Sequence, residues 1–324
     1  AVMPTSGSST KWPGTFRQVR KPRALKTGDR IALVAPASPF DREEFARGVT
    51  EIERLGFVPV FDDSIFDREA GYLAGSPQVR ASAFIKHWTD PLVSALVAVR
   101  GGYGSVHLLP LLDRARFVEQ PKLFIGYSDN TSLLSWLTCQ CGITALHGPM
   151  IEGRLAGGTG YDERSFLALA AGGNGLVLAP GGLTVLREGQ ASGPLFGGTI
   201  TQLVASLGTP FAFDPPAGCV LFLEEVNERP YRIDRMMTQL ALSGLLARAR
   251  AIVFGEMRGC DEPGGAVTAL DAIARTTREC AGPIVFGFPS GHTTGPVWTL
   301  PLGVSVCVST RPTPALLIED APVE

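Results

Sequence analysis

The sequence predicts an α/β protein built on a parallel sheet with helices on both faces. Two observations carry this. Apolar runs of strand length alternate with helix-length segments over the first half of the chain. The runs are apolar along nearly their whole length, as strands buried on both faces require. The 324-residue length points to about two domains. With 45% hydrophobic and 19% charged residues, the chain has ample material for a core and no disordered character.

Residues 1–25 mix Ser, Thr, Pro and Gly with Lys and Arg and contain no apolar signal core, so they read as an arm. The chain begins with Ala rather than Met, which leaves earlier processing open. Residues 28–36 (Gly28 to Pro36) read as a first buried strand. A helix is expected from Asp41 to Leu55, with Phe45, Val49, Ile52 and Leu55 on its apolar face. A strand at 57–61, a helix at 76–89 and a strand at 95–99 follow. The third strand runs into Arg100-Gly101-Gly102-Tyr103-Gly104, where the glycines let backbone approach a ligand closely. Their spacing fits neither a dinucleotide fingerprint nor a P-loop.

The stretch Leu123 to Leu137 organises the rest. An apolar strand ends at Gly126, and an amphipathic helix is expected to begin among Asp129, Asn130 and Thr131, all capping types. Ser128 sits at the corner between them, as a nucleophile elbow would place it, although the Gly-x-Ser-x-Gly pattern is incomplete. Such a corner lifts the hydroxyl off the sheet edge and aims helix N–H groups at a developing oxyanion. By itself the stretch also reads as a plain helix cap.

A helix near 161–171 precedes Gly172-Gly173-Asn174-Gly175 and Pro180-Gly181-Gly182, the candidate linker. In the second half a glycine-started helix is expected over 197–207, then a strand at 220–223 running into Glu224 and Glu225. A helix at 232–246, strands at 251–255 and 284–288 and a helix at 269–280 between those strands come next. Closing strands are expected at 300–308 and 315–318. His292 falls in the Gly/Ser/Thr loop after the 284–288 strand.

The formal net charge of −2 and the lack of a basic run argue against nucleic acid or a membrane surface as partner. No apolar run reaches the length of a membrane span. The six cysteines lack zinc-site spacing and read as mostly buried thiols, which fits a reducing compartment. Only four histidines are present, so a serine nucleophile has few candidate bases. Ser128 as nucleophile, His292 as base and Glu224 as the group fixing the imidazole tautomer follow in the chain order Ser, Glu, His. They would meet only where the two halves face each other, a common place for small-ligand clefts. Arg229, Arg232 and Arg235 are expected to pair with Glu225, Glu228 or Asp234 on a solvated face.

From Lys26 to Val308 the chain also resembles the LD-carboxypeptidases, serine peptidases that include the microcin C immunity peptidases. The marks are Gly28-Asp29-x-Ile31 with Ala35-Pro36-Ala37-Ser38, Arg100 to Gly104, Gly126-Tyr127-Ser128-Asp129, His147-Gly148-Pro149-Met150, Gly208-Thr209-Pro210, Leu223-Glu224-Glu225 with Tyr231 to Arg235, and Gly291-His292 with Leu300 to Gly303. The resemblance implies a triad of Ser128, Glu224 and His292. It implies an oxyanion hole from the backbone N–H groups of Gly102 and Asp129, with Gly101 and Tyr103 at the substrate. It implies an amidotransferase-like, flavodoxin-like N-terminal domain (26–170, after the arm at 1–25) carrying the elbow. A C-terminal swivelling β/α domain (171–324) then carries Glu224 and His292. The implied enzyme is a cytoplasmic homodimer, periplasmic if a signal was removed, with neither metal nor organic cofactor. It would cut the L,D bond before the terminal D-alanine of murein tetrapeptides. Two departures are Thr199, where the family often has Asn, and His107, where it often has Arg. A third is Glu225, where Asp is commoner. A peptidyl-adenylate immunity peptidase and an inert binding protein on the same fold stay open as alternatives, and a nucleotide-dependent oxidoreductase lacks its fingerprint.

Overall fold

A computed structural model describes residues 19–324. Most of the expected arm, residues 1–18, lies outside them. The first half holds β1 (Arg30–Val34), α1 (Arg42–Arg54), β2 (Val58–Val60), α2 (Pro77–Thr89), β3 (Val93–Ala98), α3 (Arg114–Glu119), β4 (Leu123–Gly126), α4 (Thr131–Ser135) and β5 (Ala145–His147). The helix starts follow from local chemistry. Asp41 accepts from the Glu43 and Glu44 amides at 2.9 and 2.8 Å, and Ser76 accepts from Val79, with Pro77 opening α2.

The chain continues through α5 (Glu163–Ala170), β6 (Val177–Leu178), β7 (Thr184–Arg187), β8 (Gln190–Thr199), α6 (Ile200–Ser206), β9 (Cys219–Glu224) and α7 (Pro230–Leu242). It ends with β10 (Ala249–Gly255), α8 (Ala269–Thr276), β11 (Ile284–Phe288), β12 (Leu300–Leu302), β13 (Ser305–Ser309) and β14 (Ala315–Ile318).

The fold class is the α/β one expected. The first sheet has the order β12-β5-β4-β3-β1-β2, and all its strands but β12 are parallel. Read from the other edge, β2-β1-β3-β4-β5 is the flavodoxin-like order. Ligands bind such sheets at the carboxyl edge where the order reverses. The loops after β1 and β3 flank that point, and the corner after β4 stands beside them. The second sheet has the order β6-β14-β13-β8-β9-β10-β11-β7, with β8 to β11 parallel and the outer strands antiparallel.

Successive strand residues face opposite ways, and β9 shows what that does here. Val220 and Phe222 join a core continuous with the first sheet, whereas Leu221 and Leu223 join a separate core under α6, α7 and α8. The central strands β9 and β10 are therefore buried on both faces, which is why they are apolar along most of their length. No helix among the described residues is long and apolar enough to cross a membrane.

Three expectations need correcting. Gly197 and Gly198 end the long strand β8, and the helix begins only at Ile200. A Cβ on Gly197 would lie 1.9 Å from the Phe222 carbonyl, so these glycines serve strand-to-strand approach. Leu300–Leu302 does not close the second sheet but pairs antiparallel with β5 of the first. The helix after Ser128 is buried on nearly every side rather than amphipathic, and widens to a π-helix over Trp136–Cys141.

Candidate active site

β4 delivers Ser128 to the carboxyl edge of the first sheet, where the residue adopts a φ of 63°. A non-glycine residue in the left-handed region is strained, and such strain persists only where surrounding structure fixes it. Here the fixing groups are the very side chains that looked like helix caps. The Asp129 carboxylate accepts from the Ser105 amide at 2.8 Å, and its carbonyl accepts from the Ser105 hydroxyl. The Asn130 amide group donates to the Arg100 carbonyl at 3.2 Å. Thr131 Oγ1 accepts from the Thr199 amide at 3.1 Å. No side chain caps α4; the polar groups tie loops together instead.

The Gly101-Gly102 turn lies against this corner. A Cβ on Gly101 would sit 2.8 Å from Ser128 Oγ and 3.3 Å from the Asp129 nitrogen. Gly102 has a φ of 97°, and a Cβ there would strike the Ser38 hydroxyl. Ser38 holds the turn from the loop after β1, donating its amide to the Gly101 carbonyl at 3.2 Å and accepting from the Tyr103 amide at 3.0 Å. Beneath the turn the buried Arg80 donates to the carbonyls of Pro36 and Gly104. Tyr103 is half exposed, and its hydroxyl meets His107 Nε2 at 3.3 Å.

From the other half, β9 ends in Glu224, which is fully buried. Its Oε2 accepts from His292 Nδ1 at 2.8 Å and from the His292 amide at 3.0 Å. Its Oε1 accepts from the Thr199 hydroxyl. A carboxylate only accepts, so His292 carries its proton on Nδ1 and leaves Nε2 as the basic nitrogen. Burial pushes the Glu224 carboxyl up. The His292 charge and hydrogen bond, the charge of His147 and the Thr199 hydroxyl outweigh that and hold it at about 2. Burial likewise depresses His292, but the charge and hydrogen bond of Glu224 and the charge of Glu225 leave it raised. Gly291 has no room for a Cβ, which would meet the Glu224 carboxyl at 2.7 Å.

The structure brings the two halves of the expected site together. Tyr127, the residue before Ser128, sets its ring edge-on to His292 with centroids 5.2 Å apart. His147 at the end of β5 is buried, pushed down to about 4 by that burial, and its Nδ1 lies 2.9 Å from the Ser290 hydroxyl, two residues before His292. Glu225 departs from the solvated ion pair expected. It is buried and accepts from the Thr201 amide and hydroxyl at 2.8 and 2.7 Å, while Arg232 pairs with Glu228 and Asp234 with Arg275. The roles of Thr199, His147 and Arg154 at this site were not evident from the sequence, where Thr199 stood out only as a departure from the family pattern and His147 only by the motif around it.

Comparison with known proteins agrees with this architecture. The family model for the LD-carboxypeptidase N-terminal domain matches residues 31–148, and that for the LD-carboxypeptidase C-terminal domain matches residues 192–308. The "Probable murein peptide carboxypeptidase" of Bacillus subtilis is 31% identical over 315 residues, 94% of this chain and 96% of that protein. The microcin C7 self-immunity protein of Escherichia coli is 26% identical over 316 residues, 88% of this chain and 91% of that one. The crystal structure of muramoyltetrapeptide carboxypeptidase from Oxalobacter formigenes superposes with a TM-score of 0.79 at 27% identity, covering 91% of this chain and all of that one. With both domain models matched in order across the two sheets that frame the site, the chain belongs to the LD-carboxypeptidase family and is a carboxypeptidase.

Proposed function

We propose that the protein removes the terminal D-alanine of murein tetrapeptides by hydrolysing the L,D bond before it, in peptidoglycan recycling. The observation that carries the mechanism is the strained Ser128 corner, with the His292–Glu224 pair held beside it through Tyr127. Ser128 Oγ attacks the scissile carbonyl while His292 Nε2 takes its proton. The oxyanion is stabilised by the backbone N–H groups of Gly102 and Asp129, next to the Gly101 turn. His292 then protonates the leaving amine, and water repeats the cycle on the acyl-enzyme. Glu224 stays ionised throughout and holds the imidazolium, a role that suits its lowered and His292's raised proton affinity. Tyr103, on the Gly102 loop, lines the approach to the substrate. No step calls for a metal or organic cofactor. The enzyme works as a homodimer in the cytoplasm; light scattering tests the dimer.

A mass-spectrometric assay on an L-Ala–D-Glu–diaminopimelate–D-Ala tetrapeptide tests the substrate. Loss of D-Ala by the wild type and none by Ser128→Ala supports the proposal. The second reading keeps the chemistry and takes a peptidyl-adenylate, on the strength of the likeness to the microcin self-immunity protein. Cleavage of an adenylate analogue with the tetrapeptide left intact would favour it. If neither is cut, the substrate assignment fails.

A further inference from the structure

One side chain outside the expected triad touches both halves of the site. Arg154 lies in the turn after β5, in the first half of the chain. Its Nε donates to the Tyr127 hydroxyl at 3.3 Å, next to the nucleophile. Its two terminal nitrogens donate to the carbonyls of Gly291, Thr293 and Gly295 at 3.2, 3.0 and 3.1 Å. Gly291 and Thr293 are the residues on either side of His292. The planar guanidinium is suited to this, because its donors radiate in fixed directions from one rigid group.

The turn is itself anchored to the sheet. The Ile151 and Glu152 amides donate to the Ala98 and Val99 carbonyls at 3.2 and 2.9 Å, at the end of β3. Glu152 pairs with Arg100 at 2.9 Å, and the Gly153 amide donates to the Glu44 carboxylate at 2.7 Å. The His292 loop, by contrast, is a run of Gly, Ser and Thr that belongs to the second half. We propose that Arg154 is the positioning residue that fixes the His292 loop against the Tyr127–Ser128 corner, setting where the imidazole stands relative to the nucleophile. This rests on the triad reading above, and a misplacement of about 1 Å in such a pair costs roughly 100-fold in rate.

The test compares wild type, Arg154→Met, Arg154→Lys and Ser128→Ala in two measurements. The first is the rate of covalent labelling by a fluorophosphonate, which reports a serine activated by its base whatever the natural substrate. The second is the low-field proton resonance of the His292 Nδ1–Glu224 hydrogen bond, which needs no turnover. For Arg154→Met the expectation is labelling slowed roughly 100-fold, the resonance broadened or lost, and a melting midpoint within a few degrees of wild type. Arg154→Lys keeps the charge without the fork and should recover only a minor part of the rate. Wild-type labelling and resonance in Arg154→Met would overturn the proposal, and so would full recovery by Arg154→Lys, which would assign the effect to charge alone. If the wild type is not labelled, or Ser128→Ala labels equally, it is the nucleophile reading that falls. The resonance then still decides whether Arg154 orders the His292 loop.

Discussion

Glu224 and Glu225 are consecutive buried carboxyls with opposite proton affinities, because their partners differ. Glu224 faces an imidazole and stays ionised. Replacing it by Gln leaves an acceptor oxygen and an NH2 group where His292 expects a carboxylate, which misorients the tautomer and leaves the imidazolium unpaired. Turnover should fall by roughly 10³ to 10⁴-fold with little change in KM. Near-normal kcat would remove Glu224 from the mechanism. Glu225 meets only neutral donors. Burial, opposed by the Thr201 hydroxyl and seconded by the charge of Glu224, pushes it up to about 7 from an ordinary 4.5. Between those values the folded state keeps a proton that the unfolded chain releases, so stability falls as pH rises through that window. The loss is on the order of 3 kcal/mol. Urea denaturation of Glu225→Gln at pH 5 and pH 8 should show a clearly smaller pH dependence than wild type; an unchanged slope would assign the dependence to other groups. In the mechanism proposed above, the raised His292 must be neutral to act as base. The acid limb of kcat/KM should therefore lie above the free imidazole value of 6.5.

At the scale of the element, β8 is the most demanding strand. Gly197 has a φ of 135° and its hydrogen lies directly over the backbone of Phe222 on β9. A methyl group there must push two central strands apart or force a left-handed backbone on a residue with a Cβ. Gly197→Ala should cost on the order of 3 kcal/mol, read from the denaturant midpoint; a midpoint within experimental error of wild type would mean that the strands separate freely. The same strand shows where the sequence was legible and where it was not. Apolar runs such as Leu123–Gly126 and Cys219–Glu224 announce strands because burial on both faces demands apolar residues at every position. Ser128, Glu224 and His292 stand out in the sequence because each ends or follows such a run, where a polar group is conspicuous. β8 hides because its glycines and polar residues imitate a loop and a helix start; what makes it a strand is pairing with β9 and β13, far away in the chain. Thr199 and Arg154 hide for the same reason. Their partners lie 25 and 137 or more positions away in their key contacts to Glu224 and to the His292 loop, and nothing local marks them.

At the scale of the molecule, the two sheets share one buried cluster. Val220, Phe222, Ala251, Val253 and Phe288 of the second sheet lie in the same buried cluster as Leu33, Leu96 and Ile125 of the first. The chain also returns late to complete the first sheet, with Leu300–Leu302 pairing against β5 at residues Ala145–His147. A fragment ending near residue 170 would therefore lack that edge strand and expose apolar surface normally covered by β9 and β10. Such a fragment should bind a hydrophobic dye and aggregate at concentrations where the whole chain stays dispersed. The intact protein, with its core shared, should unfold in one cooperative transition, with calorimetric and van't Hoff enthalpies agreeing. The Ser128 corner and the Glu224–His292 pair would then be lost together, so catalytic activity and secondary structure should disappear at the same temperature. Two resolved transitions, or a fragment of residues 19–170 with a cooperative melt of its own, would show instead that each half folds alone and that the site is assembled by docking. In that case the contacts spanning the halves, His147 to Ser290, Thr131 to Thr199 and Arg154 to the His292 loop, would carry the assembly of the site by themselves.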